Sequence, residues 1–287
     1  MKKSMQRDFV KFTVLFTTLV VAFVVAFVTP IFAQSTSSDI YGVITKITKD
    51  VAVQLGVDLD WGPAKKGMAL EEGARVATGS DSAVEIVFED GSVLRAESDT
   101  TFSIEKAKQE ESSIELLFSL ICGRILNNVL TSTDTKIKYQ MKTPVSVMGV
   151  RGTIFIVEHV KEDGAPRQEK SDVAVFDGKV AVQSITREEE PIGSEVLADK
   201  NQQTSVTIGK PALKPHPIEE RLMAYYEKVV RRFNQRVENY RKNMDKIRKQ
   251  RMEWMEKEKR KYEDKMRQDK QKQEDKFEKL KEKHGFK

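Results

Sequence analysis

Between Ser35 and Gly209 the apolar residues alternate with polar ones instead of recurring at helical spacing. Val84-x-Ile86-x-Phe88 shows the pattern, which places apolar side chains on one face of a half-buried β-strand. Asp90-Gly91 follows that segment and leads into Val93-Leu94. The same dipeptide recurs at Asp163-Gly164 and Asp177-Gly178, between Phe155-Ile156-Val157, Val173-Ala174-Val175-Phe176 and Val180-Ala181-Val182. Both residues tolerate positive φ, so each occurrence predicts a hairpin or coil turn. The expectation is an all-β domain of short strands over 61–209, preceded by lead-in strands over 34–60.

The pattern changes after Pro211, Pro215 and Pro217, which make 210–217 a stiff linker because each proline fixes φ and restrains its predecessor. From Ile218 to about Leu280 there is no glycine or proline, and Lys, Arg, Glu, Gln and Met dominate. This predicts a long charged helix over 218–287, about 95 Å long if unbroken to Leu280, at about 1.5 Å per residue. Its apolar and aromatic residues fall at Leu222, Tyr226, Val229, Phe233, Val237, Tyr240, Met244 and Ile247, then at Met255, Tyr262 and Met266. The mean step, carried across Arg251 and Glu258, is about 3.67, nearer an eleven-residue repeat than a heptad, so any coiled coil is expected to be nearly straight. A stripe this thin has three uses: weak self-association, packing on a partner, or lying against an acidic surface. The residues from Tyr226 to Ile247 are the candidate association seam.

At the other end, Lys2, Lys3, Arg7 and Lys11 precede an uncharged run from Phe12 to Ala33, the form of an export signal. Residues 1–33 are read as a signal peptide cleaved after Ala33, or as an uncleaved anchor in the cytoplasmic membrane. Either way the remainder is expected outside that membrane, in the periplasm or cell envelope. Cys122 is the single cysteine, so no intrachain disulfide forms, and its apolar neighbours suggest a small buried side chain.

Charge divides the chain. Residues 34–217 hold 21 Lys/Arg against 28 Asp/Glu, whereas 218–287 hold 24 against 15. The overall pI near 9.0 therefore describes neither part, and nucleic acid is a poor candidate partner. The tail suits an acidic envelope polymer or an envelope protein. His159, His216 and His284 form no metal-ligand pair at helical or hairpin spacing, and no nucleophile elbow, Cys/His motif or phosphate-binding glycine loop appears. Expected, then, are no catalytic residues, no metal and no cofactor.

The remaining candidate is "SVMGVRGTIFIVEHV", residues 146–160, where Gly149, Arg151, Gly152 and Thr153 precede a run of β-formers. The glycines let the backbone turn or approach a neighbour closely. Arg151 has five donors with which to tie local carbonyls or a carboxylate, and it can alternatively present its fork to an acidic partner.

The ordered set Gly67, Gly73-Ala74-Arg75-Val76-Ala77-Thr78-Gly79, Glu89-Asp90-Gly91-Ser92, Gly123-Arg124, Thr143-Pro144, Val150-Arg151-Gly152-Thr153 and Phe176-Asp177-Gly178-Lys179-Val180 resembles the FecR domain in order and spacing, over about Trp61 to Val206. The resemblance implies a mainly β, β-helix-like or sandwich-like body of the kind found in periplasmic envelope sensors. Members of the sigma-regulator type would carry a cytoplasmic helical segment before the membrane span; only some eleven residues precede the apolar run here. The expected function is a non-enzymatic, exported binding or scaffold module whose helix spaces or multimerises it. The alternative is a membrane-anchored sensor that regulates a sigma factor.

Overall fold

The computed structural model describes residues 38–39, 42–56, 59–110, 113–130, 136–162 and 168–284. Residues 1–33, and with them the expected signal or anchor, lie outside these. The elements are β1 (Ser38–Asp39), β2 (Gly42–Thr48), β3 (Val51–Gln54), β4 (Gly62–Pro63), β5 (Ala69–Leu70), β6 (Arg75–Thr78), β7 (Ala83–Phe88), β8 (Val93–Ala96), β9 (Thr101–Glu110), β10 (Ser113–Asn128), β11 (Lys136–Thr143), β12 (Ser146–Glu162), β13 (Gln168–Ile185), β14 (Pro191–Asp199), β15 (Gln202–Thr207), β16 (His216–Pro217), α1 (Glu220–Lys242) and α2 (Met244–His284). The protein is mainly β with a long C-terminal helical region, as the patterns require. None of the described helices is long and apolar enough to cross a membrane.

One continuous sheet links the strands, running β16-β15-β13-β12-β11-β10-β8-β7-β2-β5 along its main path. Strands β2 and β3, expected as a lead-in, pair with β7 and β6 within it, and Ile44 is fully buried. Not all strands are short: β10, β12 and β13 have 16, 17 and 18 residues. Each long strand changes neighbours along its length. The first half of β10 lies between β9 and β11, parallel to the latter, and the second half lies between β8 and β12. The change falls at Gly123, whose φ is 96°, where an added Cβ would stand 2.5 Å from Thr100 Cα. The backbone of β10 there leaves no room for a side chain.

Alternation along β10 turns Ile114, Leu116, Phe118 and Leu120 into the main core, where they join Ile44, Ile86, Phe102 and Ile104. Phe88 meets Phe118 edge-on at 5.1 Å, and Tyr139 bridges Phe118 and Phe155. The Tyr139 hydroxyl donates to Asn127 Oδ1 at 2.7 Å, so this buried ring keeps a hydrogen-bond partner. Each such aromatic contributes about 2 kcal/mol through burial alone. Cys122 lies at the edge of this region, half-buried rather than buried as expected, because β10 is bulged between Leu120 and Cys122.

The sheet has a second apolar face. All six residues of β7 are buried: Val84, Ile86 and Phe88 point into the main core, while Glu85 and Val87 lie beneath a helix. The linker is not a free spacer either. Leu213 N–H donates to Ser205 C=O at 2.9 Å, Thr204 Oγ1 donates to Leu213 C=O at 2.6 Å, and β16 pairs with β15.

The tail departs from one uninterrupted helix at Asn243, with φ −112° and ψ 21°. Its side-chain amide donates to Asn239 C=O at 2.7 Å, the local competition with backbone bonding that makes asparagine a poor helix interior residue.

Candidate functional site

The glycine and arginine motif is a joint in a bent strand. Before it, Ser146 to Val150 pair with β11; after it, Ile154 to His159 pair with β10. β12 also stays paired with β13 throughout, with a bulge between Arg151 and Ile154. Gly152 takes φ 59°, and Gly178, opposite, takes φ 80° with its α-carbon so close that an added Cβ would be 2.5 Å from Gly152 O. Asp177-Gly178 is therefore a bulge inside β13 and not the turn expected from the dipeptide. The same tolerance of positive φ serves either geometry, and strand pairing decides between them.

Thr153 closes the joint. Its buried hydroxyl donates to Lys179 C=O at 2.9 Å and accepts from Lys179 N–H at 3.3 Å. Gly149, in contrast, sits in regular ladder opposite Ala181 with ordinary room for a Cβ. Arg151 is exposed, and among the described residues its guanidinium makes no hydrogen bond or ion pair. The local tie assigned to Arg151 is thus made by Thr153, because the bulge turns residue 151 outward. Gly152→Val should cost about 2 kcal/mol, since a β-branched residue is strained at positive φ, whereas Arg151→Lys should change stability by less than about 0.5 kcal/mol. Urea titrations of the two variants measure the contrast, and equal midpoints would refute the account of the joint.

The helical stripe docks on the second face of the sheet. Val230, Phe233, Val237 and Ile247 are buried against Val43, Val87, Val93, Leu126 and Ile156, with Val229, Tyr240, Met244, Ile154 and Phe176 packed around them. The side chain of Tyr226 lies outside the described residues. Val229, Phe233, Val237, Tyr240, Met244 and Ile247, expected as a seam for self-association, are packed against the chain's own sheet. The stripe meets buried residues of five strands, β2, β7, β8, β10 and β12.

Polar contacts fasten the helix. The Glu85 carboxylate is fully buried and accepts from Arg236 Nε at 2.9 Å, Arg236 Nη2 at 2.6 Å, Tyr240 Oη at 2.6 Å and Arg95 Nη1 at 2.9 Å. Burial alone would raise the pKa of Glu85, but these donors and the two guanidinium charges outweigh it and hold the group below its ordinary value. Burial, then the hydrogen bond and charge of Glu85, push Tyr240 up to about 12. Arg241 Nη2 donates to Asn128 Oδ1 at 2.8 Å, Asn128 Nδ2 donates to Asn234 Oδ1 at 2.9 Å, and Arg251 pairs with Glu89. Arg251 interrupts the apolar stripe in sequence because it reaches a carboxylate on the β7–β8 turn.

Residues 74–181, which contain the β10 and β12 joints, match the family model described as FecR protein. The chain carries a FecR domain. Two crystal structures from Parabacteroides distasonis ATCC 8503, each described provisionally as an anti-sigma factor, are similar. One is 18% identical over 50% of this chain and 60% of its own, with TM-score 0.39. The other is 16% identical over 53% and 63%, with TM-score 0.40. This chain thus spans about three-fifths of the length of each. No curated protein matches the chain.

The FecR domain supplies most of the sheet, but β2 and the helices that complete its two faces fall outside the matched residues. Sequence reasoning passed over Glu85, Arg236 and the outward valines of the FecR domain. The available signal was Ala83-Val84-Glu85-Ile86-Val87-Phe88, too apolar on both faces for a strand with one side in water. Buried His159 bonds Ser171 and is held below its ordinary pKa by burial, while exposed His216 contacts Gln203. Among the described residues no group of side chains is arranged to hold a metal ion.

Proposed function

We propose that the chain is a non-enzymatic, exported FecR-domain module that binds an envelope partner and acts as a scaffold, with its C-terminal helix as a rooted arm. The observation that supports this is the docking of α1 into the second apolar face. It makes the base of the arm part of the folded body, whereas every described side chain from 259 to 272 is exposed. Met252, Tyr262 and Met266 are 65%, 65% and 53% exposed on that outer stretch. An arm of this kind spaces a partner from the body.

The expected result in an envelope-bearing bacterium is a protein outside the cytoplasmic membrane whose intact mass lacks residues 1–33. Deleting 252–287 should leave the unfolding midpoint unchanged and abolish partner retention. A full-length mass, with sigma-dependent transcription altered by the same deletion, would replace this reading by the membrane-anchored sensor.

A further inference from the structure

The side of the helix away from the sheet carries a second periodic row. Lys228, Arg231, Gln235, Asn239, Lys242, Lys246 and Lys249 follow one another at steps of three and four, so they share one face of α1 and the start of α2. All seven are exposed and lie across the helix from Phe233, Val237, Tyr240, Met244 and Ile247, which the sheet covers, although Arg231 and Gln235 also border a groove shared with Phe176, Lys200 and Asn201. Five are cations, the other two are neutral amides, and no carboxylate occupies the row. Among the described residues none of the five cations holds an intrachain carboxylate. Of the flanking acids, Glu238 pairs with Arg241 at 3.2 Å and Asp245 with Arg248 at 3.3 Å, while the exposed Glu227 and Glu253 stand at the two ends of the row and bound it.

We propose that this row is a docking strip for an anionic lipid bilayer surface. The row is a convex ridge about 30 Å long at about 1.5 Å per residue. A ridge cannot enclose a small anion, so its partner has to extend over the same length. Four of the five cations are lysines, compact charges on flexible stems with no planar fork, which suits a mobile field of headgroups better than bidentate recognition of one carboxylate. The apolar stripe is already occupied by the sheet, so the helix lies on such a surface by charge and does not insert. Residues 34–217 hold seven more acids than bases, and an anionic plane repels that body while attracting the strip. The contact therefore has a fixed orientation, with the helix between bilayer and sheet. This names a surface for the scaffold proposed above, and it is tested in vitro independently of export.

The test compares partitioning of the full chain into vesicles of phosphatidylglycerol mixed with phosphatidylcholine and into vesicles of phosphatidylcholine alone. Taking the ratio removes the contribution of the apolar N-terminal run, which both vesicles accept, and comparing each variant with the parent chain removes that of Lys2, Lys3, Arg7 and Lys11, which all the chains share. Alanine at Lys228, Arg231, Lys242, Lys246 and Lys249 together should lower that ratio by about 100-fold or more at physiological salt. Alanine at Lys257, Lys259, Arg260, Lys261 and Lys265 removes the same charge from a stretch where Glu256 and Glu258 already pair with Arg260 and Lys261. That control should lower the ratio by less than about 10-fold. Unchanged unfolding midpoints confirm that both variants fold. Equal losses in the two variants, or no preference of the parent chain for the anionic vesicles, would overturn the proposal. Row-dependent binding to soluble polyglutamate with none to vesicles would overturn it in favour of an acidic protein partner.

Discussion

Phe233→Asp should detach the helix from the sheet and destabilise the protein by about 4 kcal/mol. Phe233 is fully buried in the second cluster, which also holds Val87, Val93, Leu126 and Ile156. Truncating a buried phenylalanine costs about 3–5 kcal/mol, and a carboxylate there adds the penalty of a buried charge without a donor. Urea titration followed by circular dichroism should show an earlier loss of helix signal, with the sheet persisting because the main core lacks Phe233. The variant should also gain aggregation, since detachment uncovers the outward valines. A wild-type melt combined with a lower oligomer mass would show instead that the stripe joins two copies.

Arg236→Met should be comparably severe at neutral pH, at about 4 kcal/mol, because it leaves the buried Glu85 carboxylate with Arg95 as its remaining guanidinium. The pH dependence carries the sharper signature. In the parent protein the folded-state pKa of Glu85 is depressed below 4.5, so its contribution is fully present above 4.5 and is lost as pH falls through the folded value. In the variant, burial dominates and raises the folded value above 4.5. Folding then favours the protonated acid, and the variant loses stability as pH rises through that value. Unfolding free energies between pH 4 and 7 should therefore slope in opposite directions for the Glu85-dependent part, measured as the difference from Glu85→Gln in each background. Parallel slopes would show that Arg236 is not what holds this carboxylate ionised.

Much of the fold was legible because its signals are local. Alternation marked the strands, Asp90-Gly91 marked the β7–β8 turn, and prolines marked the passage from sheet to helix. Those patterns do not say what covers an element. The steps of three and four from Val229 to Ile247 identify a buried face equally well whether its cover is another copy or the sheet of the same chain. The choice rests on pairs such as Arg236 and Glu85, 151 residues apart, which no periodicity connects. Asp177-Gly178 and Asp90-Gly91 have the same local chemistry, yet one bends a strand and the other reverses the chain. Arg151 attracted attention as the most versatile donor of its motif, whereas the joint needed a small hydroxyl that fits inside the bulge.

The placement of the cover at the end of the chain sets an order of events during synthesis. A ribosome delivers β16, and with it the last strand of the sheet, before Phe233 or Ile247 exists. For that interval Val43, Val87, Val93, Leu126 and Ile156 form an apolar patch facing water. A chain stalled before Ile218 keeps that patch permanently, and the complete chain covers it only when its last quarter has emerged.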